Sequence, residues 1–402
     1  MFWIAEQIVD LICNGRITWL LIVWFIGFSI YCVFVYWYTK YKVYDKIFRP
    51  NISIIVSVFR EEPELFRKCL SSIKSQLLPN DEFLIVFDGK DIPLQTIAKE
   101  YGEVYVKPHG GKRSTLAYGC NHAKNEIFIT VDSDTVLCST CINEILKPFI
   151  NPKIGAVSAQ SRILNAGYNL TTRIADCHEI IAHDFIQKAT SANGNVSVLY
   201  GRCLSIRRSI WETISKDYET KLFRGKKIES GDDNDITILT MKAGYNTFMQ
   251  HSAKSLSVSP TTFWKRMNQQ YRYNRSFIRA TFDWISEPNI IKNAKLGFIQ
   301  QLMAIIFPFV IVVVWIEWFL HIIIGYSTLI PLNLIQIILL SVLTLTLTIT
   351  LRELPILQRK EDIFILIIYS YYYSFVITIF NVISVLTMCK EKPNMIQYSR
   401  NG

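Results

Sequence analysis

The sequence predicts an α/β domain, a mostly parallel sheet with flanking helices, inserted between transmembrane helices. Three observations predict it. Strand-like apolar runs alternate with amphipathic stretches between residues 52 and 131, long uncharged runs lie on both sides of the polar region, and acidic residues recur where the strand-like runs stop. Half of the chain is apolar, which suits an integral membrane protein.

Residues 17–38 form the first uncharged run, roughly 22 residues against the ~20 a helix needs to cross hydrocarbon. It lacks a basic start and a small-residue cleavage site, so it reads as an anchor. Lys40, Lys42, Lys46 and Arg49 follow, a basic flank that the positive-inside rule assigns to the cytoplasm. The polar domain is therefore expected to be cytoplasmic, on a plasma-membrane protein. Residues 52–59 are of strand length and apolar, and Arg60-Glu61-Glu62-Pro63 separates them from an amphipathic helix expected over 65–76. A second strand over 82–87 ends at Asp88-Gly89, a third over 103–106 is short, and a fourth over 127–131 ends at Asp132. Residues 302–324, 328–351 and 363–388 are further apolar runs. One anchor before the domain and three spans after it would put Lys390, Lys392 and Arg400 outside the cell, against the charge rule. One C-terminal segment is thus expected to re-enter or lie flat near Pro308 or Pro331, or residues 1–13 to be more deeply embedded. The organisation read from this is an interfacial segment and anchor (1–38), a cytoplasmic domain (39–285), and an interfacial helix with a membrane block (286–402).

The net charge of +10 is spread along the chain instead of gathered in one stripe, which argues against nucleic acid and for membrane orientation and phosphate handling. Nine cysteines facing the cytosol are expected to be free thiols, with Cys138 and Cys141 packed in a helix start. His178-Glu179 and His183 miss the zinc-protease spacing by one residue. Glu317, inside an apolar run, faces a wet path or snorkels to the interface, and Tyr369, Tyr371, Tyr372 and Tyr373 read as an interfacial belt.

Ligands of open parallel sheets bind beyond the carboxyl ends of the strands, where Glu61, Asp88, Asp132 and Asp134 all fall. Asp132 and Asp134 can share one divalent cation with a diphosphate, and Mg2+ or Mn2+ is the cation such oxygens suit. It would act as a Lewis acid on the departing group. Gly110 and Gly111 permit close backbone approach, and Lys112 and Arg113 can meet phosphate or nucleobase carbonyls. Asp233 suits a general base that takes the acceptor hydroxyl's proton in an inverting sugar transfer, while Asp232 either joins the site or caps a helix over 236–241. Gln269, Gln270 and Arg272 can reach a pyrophosphate, and Tyr273 offers an aromatic wall to a sugar. With Arg275 and Arg279 they form a basic amphipathic stretch suited to a membrane surface.

Val131-Asp132-Ser133-Asp134-Thr135-Val136-Leu137, Gly110-Gly111-Lys112-Arg113, Ile163-Leu164-Asn165, Gly231-Asp232-Asp233 and Gln269-Gln270-Tyr271-Arg272 occur in the order and rough spacing of the class I hyaluronan synthases. Over residues 50–285 the chain resembles these processive, membrane-integrated members of glycosyltransferase family two, relatives of chitin and cellulose synthases. The resemblance implies an α/β GT-A glycosyltransferase domain in which Asp88, Lys112 and Asp132 hold UDP and Asp134 the metal. Asp233 would be the base, Gln269, Gln270 and Arg272 would close over the diphosphate, and Ile163-Leu164-Asn165 would position donor or primer. It implies polymerisation of UDP-N-acetylglucosamine and UDP-glucuronate into hyaluronan, exported through a channel of membrane helices without a protein partner. Tyr200-Gly201-Arg202 departs from the family's Ser-Gly-Pro, which makes Arg202 a candidate acceptor residue. Tyr273 replaces a Trp, and Ile396-Gln397-Tyr398-Ser399-Arg400 stands near where the family carries Trp-Gly-Thr-Arg. The alternatives are a chitin-like poly-N-acetylglucosamine synthase and a non-catalytic membrane protein that binds or conducts a glycan.

Overall fold

The structure, a computed structural model, describes residues 41–324 and then 365, 368, 369, 372 and 376–389. They belong to two compact units, one built on residues 41–301 with 384–389 and the other on 302–324 with the described part of 365–383.

The first unit holds ten strands: β1 Ile52–Val58, β2 Glu82–Asp88, β3 Glu103–Lys107, β4 Ile127–Asp132, β5 Thr135–Leu137, β6 Ile154–Ile163, β7 Cys203–Arg207, β8 Leu222–Phe223, β9 Lys226–Lys227 and β10 Asn246–Ser257. Its helices are α1 Pro63–Lys74, α2 Ile92–Lys99, α3 Gly111–His122, α4 Cys141–Leu146, α5 Leu170–Ile180, α6 Lys188–Ala192, α7 Arg208–Glu219, α8 Asp232–Lys242, α9 Phe263–Ile285 and α10 Pro288–Asn293. A π-helical turn, Ile181–Gln187, joins α5 to α6. Helices α11 Lys295–Ile324 and α12 Thr378–Thr387 follow among the described residues.

Eight strands form one sheet in the order β3-β2-β1-β4-β7-β6-β10-β5. Pairs β2/β3, β1/β2, β1/β4 and β6/β10 are parallel, and β4/β7, β6/β7 and β5/β10 antiparallel. The expected mostly parallel sheet is present, with β7 and the edge strand β5 running against the others. Every residue of β1 is buried because helices cover both faces, as its continuous apolar run requires. Ile54 and Val56 face a core with Phe66, Leu70, Leu94 and Ile142, whereas Ile55 faces another with Leu116, Phe128 and Trp211. Each such buried aliphatic side chain contributes about 1.5–3 kcal/mol. Pro63 at the first turn and the Glu62 carboxylate, which accepts from the Glu64 and Leu65 N–H groups, start α1 directly after β1.

The segment before β1 is tied down. Tyr41 Oη donates to the Met249 carbonyl at 2.7 Å, and Gln250 Nε2 donates to the Tyr44 carbonyl at 2.7 Å. At the other end the unit runs past the expected boundary at 285, to Gln301. Trp284 stacks on Phe298 with ring centroids 6.5 Å apart, and the Gln301 side chain joins Thr281 at 2.8 Å to the Ser197 carbonyl at 3.1 Å.

Among the described residues no helix is long and apolar enough to cross a membrane. The expected runs 17–38 and 328–351 lie outside the described residues, as do Pro331, Lys390, Lys392, the 396–400 segment, Tyr371 and Tyr373. Run 302–324 falls within α11, which continues through Pro308; side chains are described there only as far as Val312, so that of Glu317 lies outside.

Candidate active site

Parallel register brings three acidic strand ends together. Asp88 ends β2, Asp132 ends β4 opposite Ser57 of β1, and Glu61 follows β1. Asp88 is buried and wrapped by the loop from β3 to α3: its oxygens accept from the Gly110 N–H at 2.8 Å and the Gly111 N–H at 3.0 Å, with His109 Nδ1 at 2.8 Å and Lys107 Nζ at 3.3 Å. Burial pushes its proton affinity up, but the Gly110 N–H and the His109 and Lys107 charges outweigh that and hold the carboxyl below its usual range. Beside it the His109 ring stacks on Phe59 with centroids 5.0 Å apart, and the Arg60 guanidinium lies over the Phe59 ring at 5.1 Å from its centroid.

Lys112, in the first turn of α3, joins the two acidic clusters. Its Nζ is 2.8 Å from Asp132 Oδ1 and 3.1 Å from Asp232 Oδ2. Burial alone would lower its proton affinity, but the two carboxylates raise it well above the ordinary lysine value, so it stays charged. Asp232 and Asp233 open α8. The preceding residue, Gly231, has φ +92°, and a Cβ there would lie 2.0 Å from Ser276 Oγ on α9. Only glycine allows this turn against α9. The expected Asp232 cap is not formed: Gly231 is the capping residue, and Asp232 faces Lys112.

Asp233 differs from its neighbour. Burial and the adjacent Asp232 charge push it up to about 7, against the opposing pull of Lys112 and of the Asn234 N–H, which donates to Asp233 Oδ1 at 2.8 Å. Asp232 is half-buried like its neighbour, but the Lys112 and Arg113 charges hold it below its usual value. Two adjacent carboxylates thus have opposite tendencies, the pattern that separates a proton acceptor from a fixed charge. Lys112, Asp132, Gly201, Asp232 and Asp233 line one small cavity together with Ser57 and Thr130.

The remaining expected residues fall in different places. Glu61 accepts from Ser133 Oγ at 2.9 Å, and Asp134 lies in the β4–β5 turn with Thr135 Oγ1 3.4 Å from its Oδ1. Arg113 does not face the cleft. It is 2 % exposed, its guanidinium pairs with Asp235 at 2.5 Å, donates to the Tyr218 carbonyl at 3.0 Å and packs on the Tyr218 ring. Helix geometry explains this, since adjacent residues of α3 point about 100° apart. Gln269 accepts from Arg266 at 2.7 Å, buried Gln270 donates to Asn274 at 2.9 Å, and Arg272 lies over the Tyr273 ring at 5.5 Å, all contacts within α9. Arg275 and Arg279 are buried, Arg275 against Tyr271 and Arg279 on Ser230, so α9 turns these cations inward and not to a membrane surface.

Arg202 sits beside the acidic pair: its carbonyl accepts from the Asp132 N–H at 3.1 Å, NH1 donates to Ser161 Oγ at 3.0 Å and NH2 to Glu179 Oε1 at 2.8 Å. Lys107, His109 and Glu179 escape sequence reasoning. His109 has a weak signal in its place just before Gly110-Gly111, whereas Glu179 has none, because only the packing of α5 brings it to Arg202.

A divalent cation fits the donor set within limits. Among the described residues no group of three or more His, Cys, Asp or Glu could hold a metal. The chain offers Asp134, and Asp132 shared with Lys112, and Mg2+ or Mn2+ held by one or two carboxylates normally completes its shell with substrate phosphates and water.

A family model described as glycosyltransferase like family 2 matches residues 50–276. The N-acetylglucosaminyltransferase of Rhizobium meliloti is 29% identical over 242 residues, 58% of this chain and 57% of that protein. The hyaluronan synthase of Streptococcus pyogenes is 26% identical over 279 residues, 66% of this chain and 65% of that protein. The chain thus spans just over half the length of the rhizobial relative. A solved mannosyltransferase from Pyrobaculum calidifontis, in complex with GDP-Man and Mn2+, superposes with a TM-score of 0.65 at 14% identity, covering 92% of this chain and 99% of that one. That likeness shows the GT-A-like fold.

Proposed function

Since the chain belongs to the glycosyltransferase like family 2, we propose that it is an inverting, metal-dependent transferase that moves N-acetylglucosamine from UDP-N-acetylglucosamine to a growing β-linked polysaccharide at a membrane. One observation carries the reading: Asp233, with its raised proton affinity, lines one cavity with Asp132, Asp232 and the Lys112 that pairs with both of those. Asp88 accepts from the uracil edge while the Phe59–His109 surface offers a stacking face. Asp134 and Asp132 would hold Mg2+ or Mn2+, which supplies charge stabilisation to the departing diphosphate. Asp233 takes the acceptor hydroxyl's proton as the new sugar–oxygen bond forms and the bond from the sugar to the diphosphate breaks, releasing UDP. Tyr273 forms an aromatic wall for the sugar. The apolar runs 17–38, 302–324, 328–351 and 363–388 support membrane insertion, and with it export of the product.

Two polymers suit this donor. A poly-N-acetylglucosamine, chitin-like product is supported by the rhizobial relatives at 27–29% identity. Hyaluronan, which also needs UDP-glucuronate, is supported by the longer stretch matched by the streptococcal synthase, 66% of the chain against 58%. Purified full-length protein supplied with each UDP-sugar alone and then with both is the test. Polymer from UDP-N-acetylglucosamine alone selects the first, and polymer only from the mixture the second. Absence of UDP release from any combination refutes the transferase reading.

A further inference from the structure

Helix α9 buries Arg275 and Arg279, but the β8–β9 hairpin packed on its carboxyl end turns its cations outward. Arg224 and Gly225, with φ +50° and +76°, make the two-residue left-handed turn that suits a β-hairpin, pairing Leu222 with Lys227 and Phe223 with Lys226. The base of the hairpin is fixed. The Ile228 N–H donates to the Lys221 carbonyl at 3.4 Å, and Lys221 Nζ pairs with Asp283 of α9 at 2.8 Å. The Phe223 and Phe282 rings lie 6.3 Å apart, and the Arg224 guanidinium sits over both. Beyond that base Arg224, Lys226 and Lys227 are all exposed. Lys227 has Glu229 at 3.9 Å, a loose pair that leaves most of the basic charge uncancelled. Apolar side chains are exposed among them: Leu222 at 57%, and Phe282 and Ile285, one turn apart on α9, at 41% and 50%.

The end of an apolar run lies against this surface. Arg224 NH1 donates to Cys389 Sγ at 3.4 Å, and the Tyr271 hydroxyl of α9 bonds that of Thr387. Residues 384–389 belong to the same compact unit as the hairpin, and they close run 363–388, which the proposed function places in the bilayer. Leu386 there is 75% exposed. On that reading the hairpin stands within one hydrogen bond of the point where the chain leaves hydrocarbon, the level of the lipid headgroups. Clustered cations with a guanidinium that matches phosphate, interleaved with exposed apolar side chains, suit an anionic bilayer surface. Resting on the membrane part of the proposed function, we propose that the β8–β9 hairpin docks on anionic phospholipid headgroups, with Arg224, Lys226 and Lys227 on the phosphates and Leu222 in the boundary layer beneath them.

Photolabelling of the full-length protein tests this in phosphatidylcholine nanodiscs that hold one protomer each, which excludes a second copy as the occupant. The discs carry a trace of either phosphatidylglycerol or phosphatidylcholine with a diazirine at headgroup level, and adducts are mapped by mass spectrometry after irradiation. Residues 222–227 are expected to take the phosphatidylglycerol label several-fold more than the phosphatidylcholine label. High salt should remove that excess, because a surface contact between charges is screened. Lys226→Gln with Lys227→Gln should remove most of it too, while labelling of residues 302–324 stays unchanged. Equal labelling of the hairpin by the two lipids overturns the proposal, as a bilayer that is near but not recognised, or an occupant of another class, predicts. So does an excess that survives both high salt and the double substitution. Should the double variant fail to fold, the salt series on the wild type still decides. Failure of the membrane reading shows separately, as runs 302–324 and 363–388 that neither lipid labels; labelled runs with an unlabelled hairpin refute the docking alone.

Discussion

At the residue scale the site turns on Asp232 and Asp233, chemically identical and electrostatically opposite. Lys112 bridges Asp132 and Asp232, and it leaves Asp233 half-buried beside a like charge. Asp233→Asn is expected to lower kcat by about 10²–10⁴, the usual contribution of a general base, while the affinity for UDP by titration stays within a few-fold. Because the base must be ionised and its carboxyl is pushed up to about 7, kcat in the wild type should rise with pH through about 7. The same shift bears on stability. The folded state binds this proton more tightly than the unfolded chain does, so the contribution is present below the ordinary aspartate value of 3.8 and is lost as pH rises to about 7. Asp233→Asn should therefore melt a few degrees higher than wild type above pH 7, measured by thermal denaturation. The places of Asp132, Asp134 and Asp233 are legible in the sequence because they follow a strand-like run and a glycine-marked turn, whereas short acidic clusters have other uses, such as capping a helix. Arg113 is not, since nothing local separates it from Lys112. Its direction depends on where Asp235 arrives from another helix.

At the scale of elements, α8 is held from two sides. Arg113 of α3 pairs with Asp235 in a buried setting, and Gly231 lets α8 start against Ser276 of α9. Removing one partner, Arg113→Met, is expected to destabilise by about 3–5 kcal/mol in chemical denaturation, because a buried charge is stranded. Arg113→Met with Asp235→Leu should recover much of that loss, since an apolar pair of similar volume has no charge to desolvate. Gly231→Ala should cost about 1–3 kcal/mol for the left-handed backbone alone and displace Asp232 and Asp233, which activity and melting together would report. Adding Ser276→Ala relieves the side-chain clash and leaves the backbone strain. The strand and helix runs over 52–132 are readable from periodicity, with ends within a few residues of the structure. The inward turn of Arg275 and Arg279 is not, because a basic amphipathic pattern on α9 fits a membrane surface as well as a cleft wall. The packing of Ser230 against Arg279 decides between them.

At the scale of the whole molecule, one sheet sets Asp88 and Asp132 at the ends of its parallel strands, and Lys112 joins Asp132 to Asp232 at the start of α8. With so few carboxylates available to it, a cation held partly by the donor's phosphates should exchange freely. Chelation is expected to abolish UDP release, and added Mg2+ or Mn2+ to restore it without refolding; activity that survives chelation would refute metal dependence. By itself the sequence determined the strand-and-helix alternation, the acidic strand ends and the apolar runs, because these depend on local periodicity and on which residues follow each strand. Only the tertiary structure decided that Lys112 joins the two acidic clusters, that Arg113 is structural and that Glu179 holds Arg202. Each of these is a contact between segments far apart in the chain, and its energy comes from burial and charge that exist only after the sheet has brought those segments together.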